Sequence, residues 1–127
     1  MNSYKASSAL PTELSINRSG IDQVRLTLRV DDNLFWFQGH FPDQPILPGV
    51  TQVDWAIRYA LRVFDLKGSF SGVDKVKFQR PILPGNTLEL LLNWDGAKQK
   101  LAFQYILRCE DDQPQIVASS GIIKLCR

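Results

Sequence analysis

A single histidine occurs among the 127 residues, and its surroundings suggest chemistry. His40 lies in segment 39–49, which holds three prolines, and Asp54 follows fourteen positions after the histidine. Imidazole and carboxylate groups are well suited to moving protons near neutral pH, once their surroundings tune them. We therefore take His40 and Asp54 as the first candidates for a base and an acid.

A helix start is predicted between these two residues. From Gly49 onward, apolar residues recur at three- and four-residue spacing, which indicates one face of a helix of about four turns. The first amides of a helix have no partner within it, so those of Gly49 and Val50 could hold a developing negative oxygen, such as a thioester enolate. Base, acid and oxyanion donor are the parts of a site for proton transfer next to a carbonyl. The predicted apolar stripe consists of Val50, Val53, Ile57, Ala60, Leu61 and Phe64.

Each of these residues also has a plainer interpretation. At about 100° per residue, Asp54 falls about 40° from Val50, at the edge of the stripe, and Arg58 about 80° away. Asp54 and Arg58 could simply form a surface ion pair one turn apart, worth a few tenths of a kcal/mol. His40 could be a packed, hydrogen-bonded residue among neighbouring aromatic side chains. The residues alone leave the structural and catalytic interpretations open.

Strand patterns surround the predicted helix. Residues 24–30 alternate strictly between apolar and polar, as in a half-buried strand, and Asp95-Gly96 predicts a hairpin turn. One helix with about six strands favours an α+β fold, in which an antiparallel sheet wraps around the helix and the later strands form a meander. An exposed edge strand could pair with a second copy. The other strand candidates are residues 14–18, 73–78, 87–94, 101–109 and 115–125.

Composition limits the classes of protein to consider. The chain has the length of a single domain, 1–127, with residues 1–11 expected to form a loose arm. A net charge of +2 is too small to indicate nucleic acid or an anionic membrane as the main partner. No signal peptide is evident, and no apolar stretch approaches the ~20 residues that span a bilayer, so we expect a cytoplasmic protein. Cys109 and Cys126 lack C-x-x-C spacing, which argues against a disulfide framework or a zinc site.

Two motifs resemble those of a known family. Residues 37–54 read Phe-Gln-Gly-His-Phe-Pro-x-x-Pro-Ile-Leu-Pro-Gly-Val-x-x-x-Asp, which resembles the signature of hot-dog-fold 3-hydroxyacyl-[acyl-carrier-protein] dehydratases. Residues 75–85, Lys-Val-Lys-Phe-Gln-Arg-Pro-Ile-Leu-Pro-Gly, are similar to the family's second motif, which accounts for the repeated pentapeptide at 45–49 and 81–85. The Gln-Val-Asp-Trp run at 52–55 is most similar to dehydratases of aryl-polyene pigment clusters. The resemblance covers roughly residues 20–125.

The resemblance implies a fold and a reaction. The fold would be a hot-dog fold, with about six antiparallel strands wrapped around one long central helix. The reaction would remove water from a 3-hydroxyacyl thioester on an acyl-carrier protein to give a trans-2-enoyl thioester, in fatty-acid or polyene-type biosynthesis, without a metal or organic cofactor. His40 would remove the α-proton, Asp54 would help the 3-hydroxyl group to leave, and the Gly49 amide would bind the thioester carbonyl.

The resemblance also implies partners. Family members form dimers in which the histidine of one subunit meets the acidic residue of the other, so we expect a homodimer or a heterodimer with a related subunit. Substrate-binding positions would be Phe37, Phe41, Pro48, Val50 and Arg58. An apolar acyl tunnel could be lined by Phe35, Phe37, Ile46, Leu47 and Phe78. A basic rim for the acidic carrier protein could come from Lys75, Lys77, Arg80, Arg58 and Arg62.

One residue departs from the family pattern. Four positions after the acidic residue, where fatty-acid-synthesis members usually carry Gln, this chain has Arg58. A guanidinium beside Asp54 favours the ionised carboxylate, which suits a general acid poorly. Either Arg58 points away, or Asp54 mainly positions water and the leaving hydroxyl group. Two other functions stay open: a non-catalytic or weakly active partner subunit of another dehydratase, and a hot-dog acyl thioesterase, which the histidine loop disfavours.

Overall fold

The computed structural model describes residues 10–32, 45–108 and 115–126, with only the backbone of residue 126. His40, Phe35, Phe37, Phe41 and the first nine residues of the expected arm lie outside this part of the chain. Each predicted element within it is present, with bounds shifted by a few residues. The elements are β1 Thr12–Arg18, β2 Gln23–Arg29, α1 Gly49–Val63, β3 Ser69–Phe78, β4 Thr87–Asp95, β5 Lys100–Leu107 and β6 Ile116–Cys126.

The strands form one antiparallel sheet in the order β1-β2-β4-β5-β6-β3. The predicted meander is confirmed for β4, β5 and β6, and the predicted turn at Asp95-Gly96 does join β4 to β5. The expectation that β3 begins this meander is wrong, because β3 pairs with β6 at the far edge. The place beside β4 is taken by β2, which pairs with it in unbroken register.

Strand β3 begins earlier than predicted. The sequence predicted a strand over residues 73–78, yet the strand starts at Ser69 and continues through Gly72. A register shift between Phe70 and Gly72 accommodates the glycine as an irregularity in the pairing with β6. A second shift follows between Asp74 and Lys77, so β3 is an irregular edge strand.

Helix α1 packs on the inner face of the sheet. The side of the helix that contacts the sheet differs from the side that was predicted. Its buried residues include Trp55 and Tyr59, whereas Val50 is 77% exposed. The prediction that this stripe is the buried face is therefore wrong at Val50, whereas Ala60 of the stripe is buried and Val53, Ile57 and Phe64 are partly buried against the core. Periodicity could not decide between two apolar sides, and the larger aromatic residues fill the space against the sheet. The buried residues of α1 are Thr51, Gln52, Trp55, Ala56, Tyr59, Ala60 and Val63.

Alternating residues of the central strands complete the core. Their inward side chains are buried and surround Trp55 and Tyr59 of the helix. The side of α1 that carries Val50, Ile57 and Leu61 is left only partly covered by the described residues. No helix in the described ranges is both long and apolar enough to cross a membrane. The inward strand residues are Val24, Leu26, Leu28, Leu88, Leu90, Leu92, Leu101, Phe103 and Tyr105.

Candidate active site

The predicted site residues that the structure describes lie along α1, and Pro48, Gly49 and Val50 line a cleft at its start to which Asp54 and Arg58 do not contribute. Pro48 precedes the helix, Gly49 and Val50 begin it, and Asp54 and Arg58 follow on the next turns. His40, Phe37 and Phe41 lie outside the described residues, so their positions relative to Asp54 stay predictions. The helix start is thus the part of the predicted site whose geometry can be described.

The helix begins without a side-chain cap. Pro48 is the N-cap residue in an extended conformation, and its carbonyl accepts hydrogen bonds from the amides of Thr51 and Gln52 at 3.1 and 3.2 Å. Among the described residues, the amides of Gly49 and Val50 have no hydrogen-bond partner. These two N–H groups lie at the positive end of the helix dipole, where a negative oxygen is stabilised.

The two Pro-Ile-Leu-Pro-Gly loops contact each other. The Leu47 amide of the first loop donates to the Ile82 carbonyl of the second at 2.8 Å. The final glycines of the two loops have different backbone conformations. Gly85 has a φ of 87°, a left-handed conformation that favours glycine, whereas Gly49 is helical. The two family motifs therefore meet at one place, the start of α1.

Gly49 is required by a close approach rather than by its backbone angles. A Cβ at this position would lie 2.7 Å from Cζ of Phe78 and 3.0 Å from both Cε atoms. Phe78 ends β3 and is half-exposed, so its ring covers the first turn of α1 from the edge of the sheet. A glycine lets the ring and the helix start approach so closely, and a larger residue would require the half-exposed ring to shift.

Asp54 is paired with Arg58. The guanidinium Nε of Arg58 donates to Oδ2 of Asp54 at 2.7 Å, one helical turn apart. The side chains are 44% exposed for Asp54 and 62% for Arg58. Of the two interpretations offered for Arg58, the one in which it points away is therefore wrong. Within the described residues Oδ1 of Asp54 has no hydrogen-bond partner and is open to a ligand.

A cleft of about 490 Å³ adjoins the helix start. Of the predicted tunnel residues, Ile46, Leu47 and Phe78 line it, although Leu47 is itself buried in the core. The cleft is bordered by both family motifs and by one exposed cation, Arg80. Its lining is Ile46, Leu47, Pro48, Gly49, Val50, Gln52, Phe78, Gln79, Arg80 and Pro81.

The predicted basic rim is only partly assembled at this cleft. Lys75 and Lys77 line a separate groove, with residues of β4, β5 and β6. Arg62 is engaged elsewhere, because it pairs with Glu13 at 2.6 Å and lies 5.2 Å from the ring centre of Tyr59. Arg80 is the member of the predicted set that borders the cleft.

The sequence analysis missed Gln52, which is 3% exposed and makes three buried hydrogen bonds. Its Nε2 donates to the Leu47 carbonyl at 3.2 Å, and Ser119 Oγ donates to its Oε1 at 2.6 Å. The hydroxyl of Tyr105 donates to the Gln52 carbonyl at 2.7 Å. A signal for it existed in the spacing, since Gln52 lies three and seven positions before Trp55 and Tyr59 and so shares their face.

The antiparallel sheet on one helix, with the two motifs meeting at the helix start, defines a hot-dog protein of the dehydratase class. A family model described as ApeI-like, ApeI dehydratase, matches residues 16–121. The chain therefore belongs to the ApeI-like dehydratase family, which confirms the predicted fold and the narrower resemblance to the aryl-polyene type.

Similar proteins agree with this assignment. A chain of the dehydratase heterocomplex ApeI:P from Xenorhabdus doucetiae is 46% identical, with a TM-score of 0.83 over 92% of this chain and 98% of that one. An uncharacterized protein from Erwinia carotovora subsp. atroseptica is 47% identical, with a TM-score of 0.82 over 92% and 96%. The 3-hydroxyacyl-[acyl-carrier-protein] dehydratase FabZ of Oenococcus oeni is 38% identical over 86 residues, 61% of each protein. The chain spans about half the length of the curated relatives that it matches, between 41% and 61%.

Proposed function

We propose that this chain is a 3-hydroxyacyl-[acyl-carrier-protein] dehydratase acting in fatty-acid or polyene-type biosynthesis. One observation carries the proposal. The amide of Gly49 has no partner among the described residues, it borders an apolar cleft, and it lies on the same helix as Asp54, about 7.5 Å away along the axis. We assign the thioester carbonyl oxygen to the Gly49 amide and the 3-hydroxyl group to the carboxylate of Asp54, which does not itself line the cleft.

The elimination needs no cofactor. His40 takes the α-proton, and the electrons of that C–H bond form the new double bond as the bond between C3 and the hydroxyl oxygen breaks. Negative charge develops on the thioester oxygen during this step, and the Gly49 amide stabilises it. The hydroxyl group leaves with one further proton as water, so that atoms and charge balance.

The ion pair with Arg58 determines the role that we assign to Asp54. Oδ2 of Asp54 accepts the hydrogen bond of Arg58, and an ionised carboxylate accepts hydrogen bonds and donates none. Oδ1 of Asp54 then accepts the hydrogen bond of the substrate 3-hydroxyl group and orients it. The proton that completes the water molecule comes from the imidazolium of His40.

We further propose that the working protein is a dimer with a second hot-dog subunit, either a copy or a relative. The side of α1 that carries Asp54 is partly uncovered, and β3, an edge strand next to it, exposes Val73 and Phe78. A second subunit placed there would bring its own histidine towards Asp54. The heterocomplex of the Xenorhabdus relative supports pairing with a related subunit.

The carrier protein is expected to dock beside the cleft. Acyl-carrier proteins are acidic, and the exposed Arg80 offers a positive charge at the cleft entrance. A rim charge of this kind mainly raises the association rate and makes it salt-dependent. We therefore expect Arg80→Glu to weaken turnover of carrier-bound substrate far more than turnover of a small thioester.

A second candidate is a weakly active partner subunit of another dehydratase. Two observations favour it. Arg58 binds Oδ2 of the Asp54 carboxylate, and the Xenorhabdus relative is part of a heterocomplex. Such a subunit would contribute Gly49 or Asp54 to a site that it shares with the other dehydratase. By itself it would not turn over substrate. Activity that requires the second subunit would favour this candidate.

Enoyl formation tests the proposal. Purified protein, alone and mixed with a related hot-dog subunit, is incubated with 3-hydroxyacyl N-acetylcysteamine thioesters of short and long chain. We expect an increase in enoyl-thioester absorbance, which disappears in His40→Ala with the fold retained. A folded dimer that gives no enoyl product with any chain length would overturn the proposal.

A further inference from the structure

We infer that Gln52 is a positioning residue that sets the direction of the Gly49 amide. The inference rests on the proposed function, because it concerns the oxyanion donor of that site. Gln52 need not touch the reacting atoms. It acts through Leu47, the residue two positions before Gly49 in the loop that enters the helix.

The side chain of Gln52 connects this entering loop to the sheet. Its Nε2 holds the Leu47 carbonyl at 3.2 Å, and its Oε1 accepts the hydroxyl of Ser119, on β6, at 2.6 Å. Both Gln52 and Ser119 are buried, with exposures of 3% and 0%. Because no water competes for these groups, each bond strongly restricts the positions of the atoms that it joins.

The orientation of the amide group follows from its neighbours. A carbonyl can only accept, so the group facing Leu47 is the NH₂ of Gln52 and the group facing Ser119 is the oxygen. The Gln52 side chain therefore fits this place in one orientation.

The backbone of Gln52 is held from the sheet as well. Tyr105, on β5, donates its hydroxyl to the Gln52 carbonyl at 2.7 Å. Burial raises the pKa of Tyr105 well above its usual value, so the hydroxyl keeps its proton and stays a donor. Two strands thus fix Gln52, and Gln52 in turn fixes the loop that presents the Gly49 amide.

A second contact holds the same loop from its other side. The Leu47 amide donates to the Ile82 carbonyl, while the Leu47 carbonyl accepts from Gln52. Both polar groups of this one residue are therefore engaged by other parts of the fold. A loop fixed in this way can present its next amides in one direction, as preorganised oxyanion binding requires.

The test uses Gln52→Met, which keeps a similar length and removes both the donor to Leu47 and the acceptor for Ser119. Gln115→Met, at an exposed position before β6, makes the same chemical change and serves as the matched control. We expect kcat of Gln52→Met to fall about tenfold or more, as when an oxyanion donor is displaced, with KM within about twofold. The control should keep the wild-type kcat.

Two spectroscopic readouts separate positioning from a general structural role. The C=O stretching band of a bound enoyl thioester should shift towards its position in water in Gln52→Met, because the Gly49 amide no longer polarises the carbonyl. In the substrate-free protein, the Gly49 amide resonance should move in Gln52→Met and stay in place in Gln115→Met. Ser119→Ala provides a milder variant, expected to shift both signals in the same direction, should Gln52→Met fold poorly.

The outcomes are distinct. Lower activity with an unshifted carbonyl band, or a Gly49 resonance that does not move in either variant, overturns the positioning role. Wild-type protein that turns over no thioester overturns the proposed dehydratase function instead. The Gly49 resonance still tests the positioning in that case, because it needs no substrate.

Discussion

The ring of Phe78 lies so close over Gly49 that a β-carbon on the glycine would stand 2.7 Å from Cζ of the ring. This contact joins the end of β3 to the start of α1. It brings the two family motifs, residues 37–54 and 75–85, together at the amide of Gly49. The contact therefore predicts how the site responds to small changes of volume.

Gly49→Ala should impair activity more than stability. The added methyl group displaces the Phe78 ring or the helix start, while alanine favours the helix by about 1 kcal/mol over glycine and offsets part of the strain. We expect the free energy of unfolding to change by no more than about 2 kcal/mol and kcat to fall at least about tenfold. Denaturant unfolding and steady-state kinetics check this.

A glycine with open surroundings provides the control. A β-carbon added at Gly72 would meet no atom within 4 Å, so Gly72→Ala should leave kcat unchanged. In a Gly49→Ala/Phe78→Leu double variant the smaller side chain should restore part of the lost kcat, since residues in contact are energetically coupled. Strictly additive effects of the two substitutions on kcat would show that the contact between Phe78 and Gly49 does not determine the position of the Gly49 amide.

Removal of the carboxylate should be far more harmful than removal of its partner. Asp54→Asn is expected to lower kcat by on the order of 10²-fold, because the leaving hydroxyl group loses the acceptor that orients it. Arg58→Gln breaks an exposed ion pair and should change the free energy of unfolding by less than about 0.5 kcal/mol. Arg25→Gln, which breaks a distant pair with Glu89, is the control for loss of a surface charge. Equal kcat losses for Asp54→Asn and Arg58→Gln would contradict the assigned roles.

Inactive subunits should complement each other if the site is shared across a homodimer. His40→Ala and Asp54→Asn are each expected to be inactive, and random mixing gives dimers of which half are mixed, each with one intact site. The mixture should recover about a quarter of wild-type activity. Refolding the two variants together and measuring turnover checks this. An intact dimer mixture without recovery would place His40 and Asp54 of the same subunit in one site.

Alkaline pH should destabilise the fold through its buried tyrosines. Burial raises the pKa of Tyr59 to about 12, above its ordinary value of 10.0. The folded protein therefore holds this proton more tightly than the unfolded chain. The stabilisation is fully present below pH 10 and is lost as pH rises towards 12. Melting temperatures between pH 8 and 11 should fall less steeply in Tyr59→Phe, and an identical slope in both proteins would contradict the assignment.

Local periodicity was enough to predict the strands and the start of α1, because each strand alternates and the glycine at 49 begins a new repeat. The neighbours of β3 were not predictable, since strand pairing is decided by contacts far apart in sequence. The side of α1 that faces the sheet was predicted wrongly because the helix has two apolar sides, one with Val50 and one with Trp55, and periodicity does not tell which of them is buried. Gln52 was missed because the face that it shares with Trp55 and Tyr59 was not predicted to be the buried one, and its partners Ser119 and Tyr105 lie far away in sequence.

The most direct measurement is the mass of a 3-hydroxyacyl chain on its carrier protein after incubation with this protein. Elimination leaves the acyl chain attached and lighter by one molecule of water, whereas thioester hydrolysis removes the whole chain. We predict loss of one water with the wild type and no change with His40→Ala or Asp54→Asn. Release of the free carrier, or an unchanged substrate in the presence of the folded dimer and a related hot-dog subunit, would contradict the proposed dehydratase function.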